Sequence, residues 1–170
     1  MEFIMRYKSL LLSLPLVLGV ATANAADDVK RVPVKGFPIA ESVEIGANNS
    51  IIFLSGKVPS KISKDAPEGV LESYGNTEAQ TINVLKQIQA TLGEMGLTMN
   101  DVVKMQVFLV GGDETKGTMD FAGFMAGYSK FYESEKVTNL PARSTFQVAK
   151  LANPAWRVEI EVTAVRPAKK

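Results

Sequence analysis

The chain has 170 residues, with 19 Lys and Arg against 18 Asp and Glu, and it contains neither cysteine nor histidine. Those two absences exclude thiol nucleophiles, disulfides, Ser-His-Asp triads and zinc sites built on imidazole or thiolate. Near-neutral charge without a basic run also withholds the electrostatic footprint of a nucleic-acid binder. Any catalysis falls to carboxylates, lysine, tyrosine, arginine, backbone groups or water.

The segment from Met5 to Ala25, "MRYKSLLLSLPLVLGVATANA", opens with Arg6 and Lys8, runs through uncharged apolar residues and ends Ala23-Asn24-Ala25. That is the layout of a secretory signal peptide with Ala-x-Ala before the cut. Its apolar run is too short and too interrupted by Pro and Gly to make a comfortable membrane span. Residues 1–25 are therefore expected to be removed on export to the periplasm. A cysteine-free protein suits that compartment when its fold stands on its core alone. The remainder, residues 26–170, is sized for one domain with one core. Residues 1–25 hold only Glu2, Arg6 and Lys8 among the charges, so the remainder is formally neutral.

Residues 26–38, "ADDVKRVPVKGFP", read as a loose, polar lead-in. "ESVEIGANNSIIFLSGKVP" then reads as strand, turn, strand: Val43 and Ile45 alternate with polar neighbours, and "IIFLSG" is β-branched and apolar. Residues 57–76 form a long Pro/Gly/charge-rich connection, which a compact domain seldom keeps without a use. From Thr77 to Gly96 the spacing of Ile82, Leu85, Ile88, Leu92 and Met95 predicts a helix, with Thr77 and Gln80 as a capping box and Gly96 as the stop. "VVKMQVFLV" alternates as a strand with Val103, Met105, Val107 and Leu109 on one face. After a turn-rich break, residues 119–132 predict a second helix, whose aromatic stripe (Phe121, Phe124, Tyr128, Phe131 and Tyr132, with Met125) reads as core. "STFQVAKL" and "RVEIEVTAV" close the chain as two strands joined by a short loop. The order β-β-α-β-α-β-β predicts an α+β fold: one mixed sheet with both helices on one face.

Two strand positions stand out. Glu159 and Glu161 share one side of the last strand, with Val158, Ile160, Val162 and Ala164 on the other, a pattern that a solvated sheet face also produces. Arg143, Thr145 and Gln147 share a face of the preceding strand, where Arg143 alone would pass for surface charge. If the two strands form an antiparallel hairpin, Arg143 and Glu159 stand roughly 20 Å apart along it. They could then cooperate only across a boundary between subunits.

Taken together, "FLSGKVP", "TEAQTINVLKQIQATLGEMGLTMNDVVKMQVFL", "LPARSTFQVAKL" and "VEIEVTAV" resemble the Rid/YjgF family of reactive intermediate deaminases, also described as endoribonuclease L-PSP-like proteins. The combination of Pro-Ala-Arg-Ser with Val-Glu-Ile-Glu carries the likeness. The resemblance implies a chorismate-mutase-like (YjgF-like) fold, a homotrimer, and three sites in the clefts between subunits. It assigns Arg143 to hold a substrate carboxylate, a job suited to a planar guanidinium that engages both oxygens. It gives Glu159 the positioning or activation of water, Ser55 and Gly56 the lining of the same cleft, and Thr145 a backbone that faces the ligand. The implied reaction hydrolyses enamines and imines such as 2-aminoacrylate to a 2-keto acid and ammonia, with no metal or cofactor. Two positions of the implied binding site depart from the family pattern: Ile39 stands where a tyrosine is common and Met125 where an asparagine is. The connections 57–76 and 110–118 are longer than usual, and Lys57 replaces a common glutamine. A trimeric deaminase acting on a small carboxylate compound is the leading reading, supported by Arg143 with Glu159. A non-catalytic carboxylate-binding or holdase-type protein of the same fold is the alternative, favoured by Ile39 and Met125. Ribonuclease activity would follow from the family description alone, and the charge and the lack of histidine argue against it.

Overall fold

The computed structural model describes residues 29–133 and 137–167, so the expected signal peptide of residues 1–25 lies outside the described residues. In chain order the main elements are β1 (Val29–Pro33), β2 (Ala40–Ile45), β3 (Ser50–Lys57), α1 (Thr77–Glu94), β4 (Val102–Leu109), α2 (Phe121–Tyr132), β5 (Ala142–Gln147) and β6 (Val158–Arg166). The strands form one mixed sheet in the order β1-β2-β5-β4-β6-β3. The α+β architecture is the expected one.

β4 is the middle of the structure because its alternation serves two neighbours at once. It runs parallel to β5 and antiparallel to β6. Met105, Val107 and Leu109 of β4 and Val158, Ile160 and Ala164 of β6 are buried on one face. Val84, Leu85, Ile88 and Leu92 of α1 and Phe124, Tyr128 and Tyr132 of α2 complete that core. Each such side chain contributes about 1.5–3 kcal/mol by leaving water. The helices cover this face only, and the opposite face carries Phe53, 80% exposed, and Phe146, 47% exposed.

The helix ends follow from local chemistry. Asn76, rather than Thr77, caps α1, its side chain accepting from the Ala79 amide. Gln80 is not part of a capping box. It is fully buried, donating to the carbonyls of Gly75 and Ala155 and accepting from the Arg157 amide. Gly96, at φ 72°, supplies the left-handed residue that ends the helix as expected. Asp120 caps α2 through the Gly123 amide.

Three expectations are corrected. Residues 29–33 of the supposed loose lead-in form β1, paired antiparallel with β2. Their inward-facing group is Arg31, which donates to the carbonyls of Leu140, Asn100 and Val102, so the strand lacks the apolar alternation that would betray it. Next, neither terminal pair is a hairpin: β2 pairs with β1 and β5, β3 pairs with β6, and β4 lies between β5 and β6. The contacts of Arg31 lay the β1–β2 ribbon across the starting ends of β4 and β5. That crossing lets the short turn after Ile45 deliver the chain to β3 at the far edge. Finally, the 57–76 connection is folded rather than structureless. The Ile62 amide donates to Ser73 O at 2.7 Å, and Tyr74, 3% exposed, bonds Glu68 and packs edge-on against Trp156.

Candidate functional site

β5 presents Arg143 and Thr145 to the helix side, because they stand in register with Met105 and Val107 of β4. The first strand residue, Ala142, makes the single bridge to Ala40 of β2. Beyond it β5 is laddered to β4 alone, which leaves its outer edge open beside Arg143. The guanidinium lies over the Tyr128 ring at 4.2 Å, the Phe124 ring at 5.0 Å and the Phe37 ring at 5.4 Å. Such contacts favour the cation by about 0.5–2 kcal/mol each at this depth. Nη2 donates to the Met125 sulfur at 3.3 Å, and Nη1, though buried, has no hydrogen-bond partner. Burial pulls the pKa of Arg143 below its ordinary value, with Tyr128 opposing, and burial pushes that of Tyr128 up. Two residues along, the buried hydroxyl of Thr145 also lacks a partner. Ile39 is half-buried in the 34–39 turn, tied to the same wall where the Tyr128 hydroxyl donates to Pro38 O at 2.8 Å. Arg143, Thr145 and Met125 thus belong to one corner, with Phe37 above it and Ile39 two residues further along the same turn.

The other expected residues meet elsewhere. Glu159 stands in register with Phe108 of β4, on the sheet face that the helices leave open. The β3–β6 register shifts between Leu54 and Lys57, and this irregularity brings the backbone of Gly56 against the Glu159 carboxylate. A Cβ at residue 56 would sit 2.2 Å from Glu159 Oε1, so any larger residue there would displace the carboxylate from its present position. Burial, and then the charge of Glu161, raises the pKa of Glu159. Glu159 and Glu161 line a hollow of about 220 Å³ with Phe108, Val148, Lys150 and Leu151. Ser55 lines an adjoining one of about 300 Å³ with Lys104, Gln106 and Glu161. A larger hollow of about 390 Å³ lies by Arg31, Asn100 and Asp101, where the arginine is already committed to backbone carbonyls.

One chain therefore holds two separate groups: a guanidinium corner on the helix side and a carboxylate with Ser55 and Gly56 on the open side. The hairpin separation is corrected. Measured through β4, Arg143 and Glu159 are three register positions apart, about 10 Å along the strands. It is the opposite facing, not distance along a hairpin, that keeps them from sharing a substrate within one chain. The sequence reading missed Phe37 altogether and took Phe124 and Tyr128 as core only. They are core, and they are also the floor on which Arg143 rests. Only the Phe-Pro pair ahead of β2 could have signalled Phe37.

Comparison with known proteins gives these residues a context. The family model of endoribonuclease L-PSP matches residues 37–166. The chain is 31% identical over 147 residues to the 2-iminobutanoate/2-iminopropanoate deaminase of Salmonella typhimurium, covering 86% of this chain and 96% of that protein. It is 30% identical over 138 residues to a RutC family protein of Haemophilus influenzae, covering 81% and 93%. The crystal structure of Escherichia coli TdcF with bound serine is similar at 29% identity and a TM-score of 0.54, over 80% of this chain and 94% of that one.

Proposed function

The chain belongs to the endoribonuclease L-PSP family, the Rid/YjgF proteins, and on that premise we propose that it hydrolyses 2-imino acids and their enamine tautomers to 2-keto acids and ammonia. The unpartnered, buried Nη1 of Arg143 carries the reading. A guanidinium stacked on aromatic rings, with a thioether sulfur as its hydrogen-bond acceptor, keeps donors free for a carboxylate, and each charge-assisted bond gained contributes about 1.5–3 kcal/mol. Glu159 supplies the complementary group: a carboxyl with a raised pKa exchanges protons near neutrality more readily than an ordinary one. In this scheme Arg143 holds the substrate carboxylate, which fixes C2 of the imine. Glu159 orients a water and takes its proton as the oxygen adds to C2. Glu159 then returns that proton to the nitrogen of the carbinolamine, the C2–N bond breaks to release ammonia, and the hydroxyl gives up its proton to Glu159 or water as the carbonyl forms. Ser55, Gly56 and the Thr145 backbone line the cleft.

Because the two groups face opposite ways, we assign each working site to two copies of this chain, arranged as a homotrimer. The open edge of β5 beside Arg143 and the apolar open face around Phe53 and Phe146 support that assembly. The similarity to a 2-iminobutanoate/2-iminopropanoate deaminase supports the reaction class. Export to the periplasm, after loss of residues 1–25, completes the proposal.

The test generates 2-aminoacrylate with a serine dehydratase and follows keto-acid release. Wild-type protein is expected to accelerate release, and Arg143→Ala to lower kcat/KM by about 100-fold or more, the loss of two charge-assisted bonds. Binding of small 2-keto acids without acceleration would replace this reading with a carboxylate-binding protein.

A further inference from the structure

Apart from the Thr145 hydroxyl, the corner around Arg143 is walled by apolar and aromatic groups on the sides that this chain supplies. Phe124 and Tyr128 are fully buried and locked in a run of rings, with centroids 5.6 Å apart and Tyr128 stacked at 4.7 Å on Tyr132. They cannot yield to a ligand. Phe37, 37% exposed, is the one ring over the guanidinium that also meets solvent. Its backbone is held in place: Val34 N donates to Ile39 O at 3.0 Å, Ile39 N to Phe37 O at 2.8 Å, and Tyr128 Oη to Pro38 O at 2.8 Å. Gly36, at φ 74°, permits this tight turn. The tyrosine that supports the guanidinium therefore also anchors the turn carrying Phe37, so the position of the ring is fixed relative to the clamp. Met125, half-buried, packs against the same core, and Ile39, also half-buried, closes the turn that carries Phe37. Of these, only the Met125 sulfur touches the guanidinium as an acceptor, and thioether sulfur is a weak one.

We infer that Phe37, with Ile39 and Met125, makes this site select 2-imino acids with an apolar side chain of three or more carbons over the smallest ones. The inference rests on the deaminase reading for the imine itself. A substrate whose carboxylate is held by Arg143 places its C2 and side chain next to the guanidinium, where Phe37, Ile39 and Met125 are the groups it meets. Each buried methylene gains about fourfold in binding, so an isobutyl side chain stands well over tenfold ahead of a methyl one. A carboxylate on that side chain would meet no second cation among these groups and lose its water.

The test has two readouts. In the first, an amino-acid oxidase releases the imines of leucine, alanine and glutamate, and their hydrolysis is followed with wild type, Phe37→Ala and Met125→Ala. The expected result is a leucine-to-alanine ratio of kcat/KM above about 10, falling about tenfold in Phe37→Ala and less in Met125→Ala. A ratio near one in the wild type, or a ratio unmoved by both substitutions, overturns the inference. In the second, calorimetry compares 4-methyl-2-oxopentanoate with pyruvate as stable ligands. If no imine is turned over, the deaminase reading falls. The selective wall still stands if the branched keto acid binds over tenfold more tightly and Phe37→Ala removes the difference; equal affinities overturn it.

Discussion

Arg143 sits on three aromatic rings with one amino group on a sulfur and the other on nothing. Its cation–π contacts offset part of the cost of burying a charge, and the bare Nη1 adds to that cost. For the fold alone, then, the guanidinium is close to neutral. Arg143→Met is expected to leave stability within about 1 kcal/mol of wild type while abolishing the proposed binding of a carboxylate. A loss above about 3 kcal/mol would mark Arg143 as a structural brace instead. Glu159 gives a pH prediction. Its folded-state pKa is raised, by burial first and by Glu161 second. The folded chain therefore holds this proton over a window in which the unfolded chain has lost it. The stability this contributes is fully present below the unfolded pKa and is lost as pH rises through the folded one. Glu159→Gln removes that slope, so its midpoint should gain on wild type as pH rises through and above the ordinary carboxylate range, by a small amount because the side chain is largely solvated. A difference between the two proteins that stays constant with pH would contradict the raised pKa.

At the scale of elements, α1 and α2 approach each other at Gly127. A Cβ there would stand 2.7 Å from Thr81 Cβ and 3.0 Å from Glu78 O. Gly127→Ala should therefore cost about 1–3 kcal/mol by overpacking, despite the better helix propensity of alanine. Gly93, in α1, is the control, because a methyl group added there would meet nothing within 4 Å. Gly93→Ala should stabilise by roughly 0.5–1 kcal/mol. Thermal denaturation of the pair distinguishes close packing from propensity, and a stabilising Gly127→Ala would show that the helices slide apart freely. Both helices and the β4 face were legible in the sequence, since their periodicity comes from burial against a single core. β1 was not, because its inward residue is an arginine satisfied by backbone carbonyls. The strand order was not legible either: β4 inserts between two strands that are consecutive in the chain, and consecutive strands look like a hairpin when only local spacing is read.

For the whole molecule, the same hidden strand order decides how a site can be built. The sequence identified the residue types, Arg143 and Glu159, but it could not say that β4 turns them to opposite faces. Nor could it show Phe37 above the clamp, since that contact joins residues 106 positions apart. In the assembly proposed above, a working site takes Arg143 from one copy and Glu159 from another, with Phe53 and Phe146 buried where the copies meet. The measurement that tests it mixes two inactive variants. Arg143→Ala and Glu159→Gln chains are unfolded together, refolded as an equal mixture, and assayed for imine hydrolysis beside each variant refolded alone. If each site in a threefold ring draws one residue from each neighbour, random assembly restores about a quarter of the sites with both groups intact. Activity in the mixture is expected near a quarter of wild type, with almost none in either parent. A mixture as inactive as its parents, from variants that each assemble normally, would contradict that assembly.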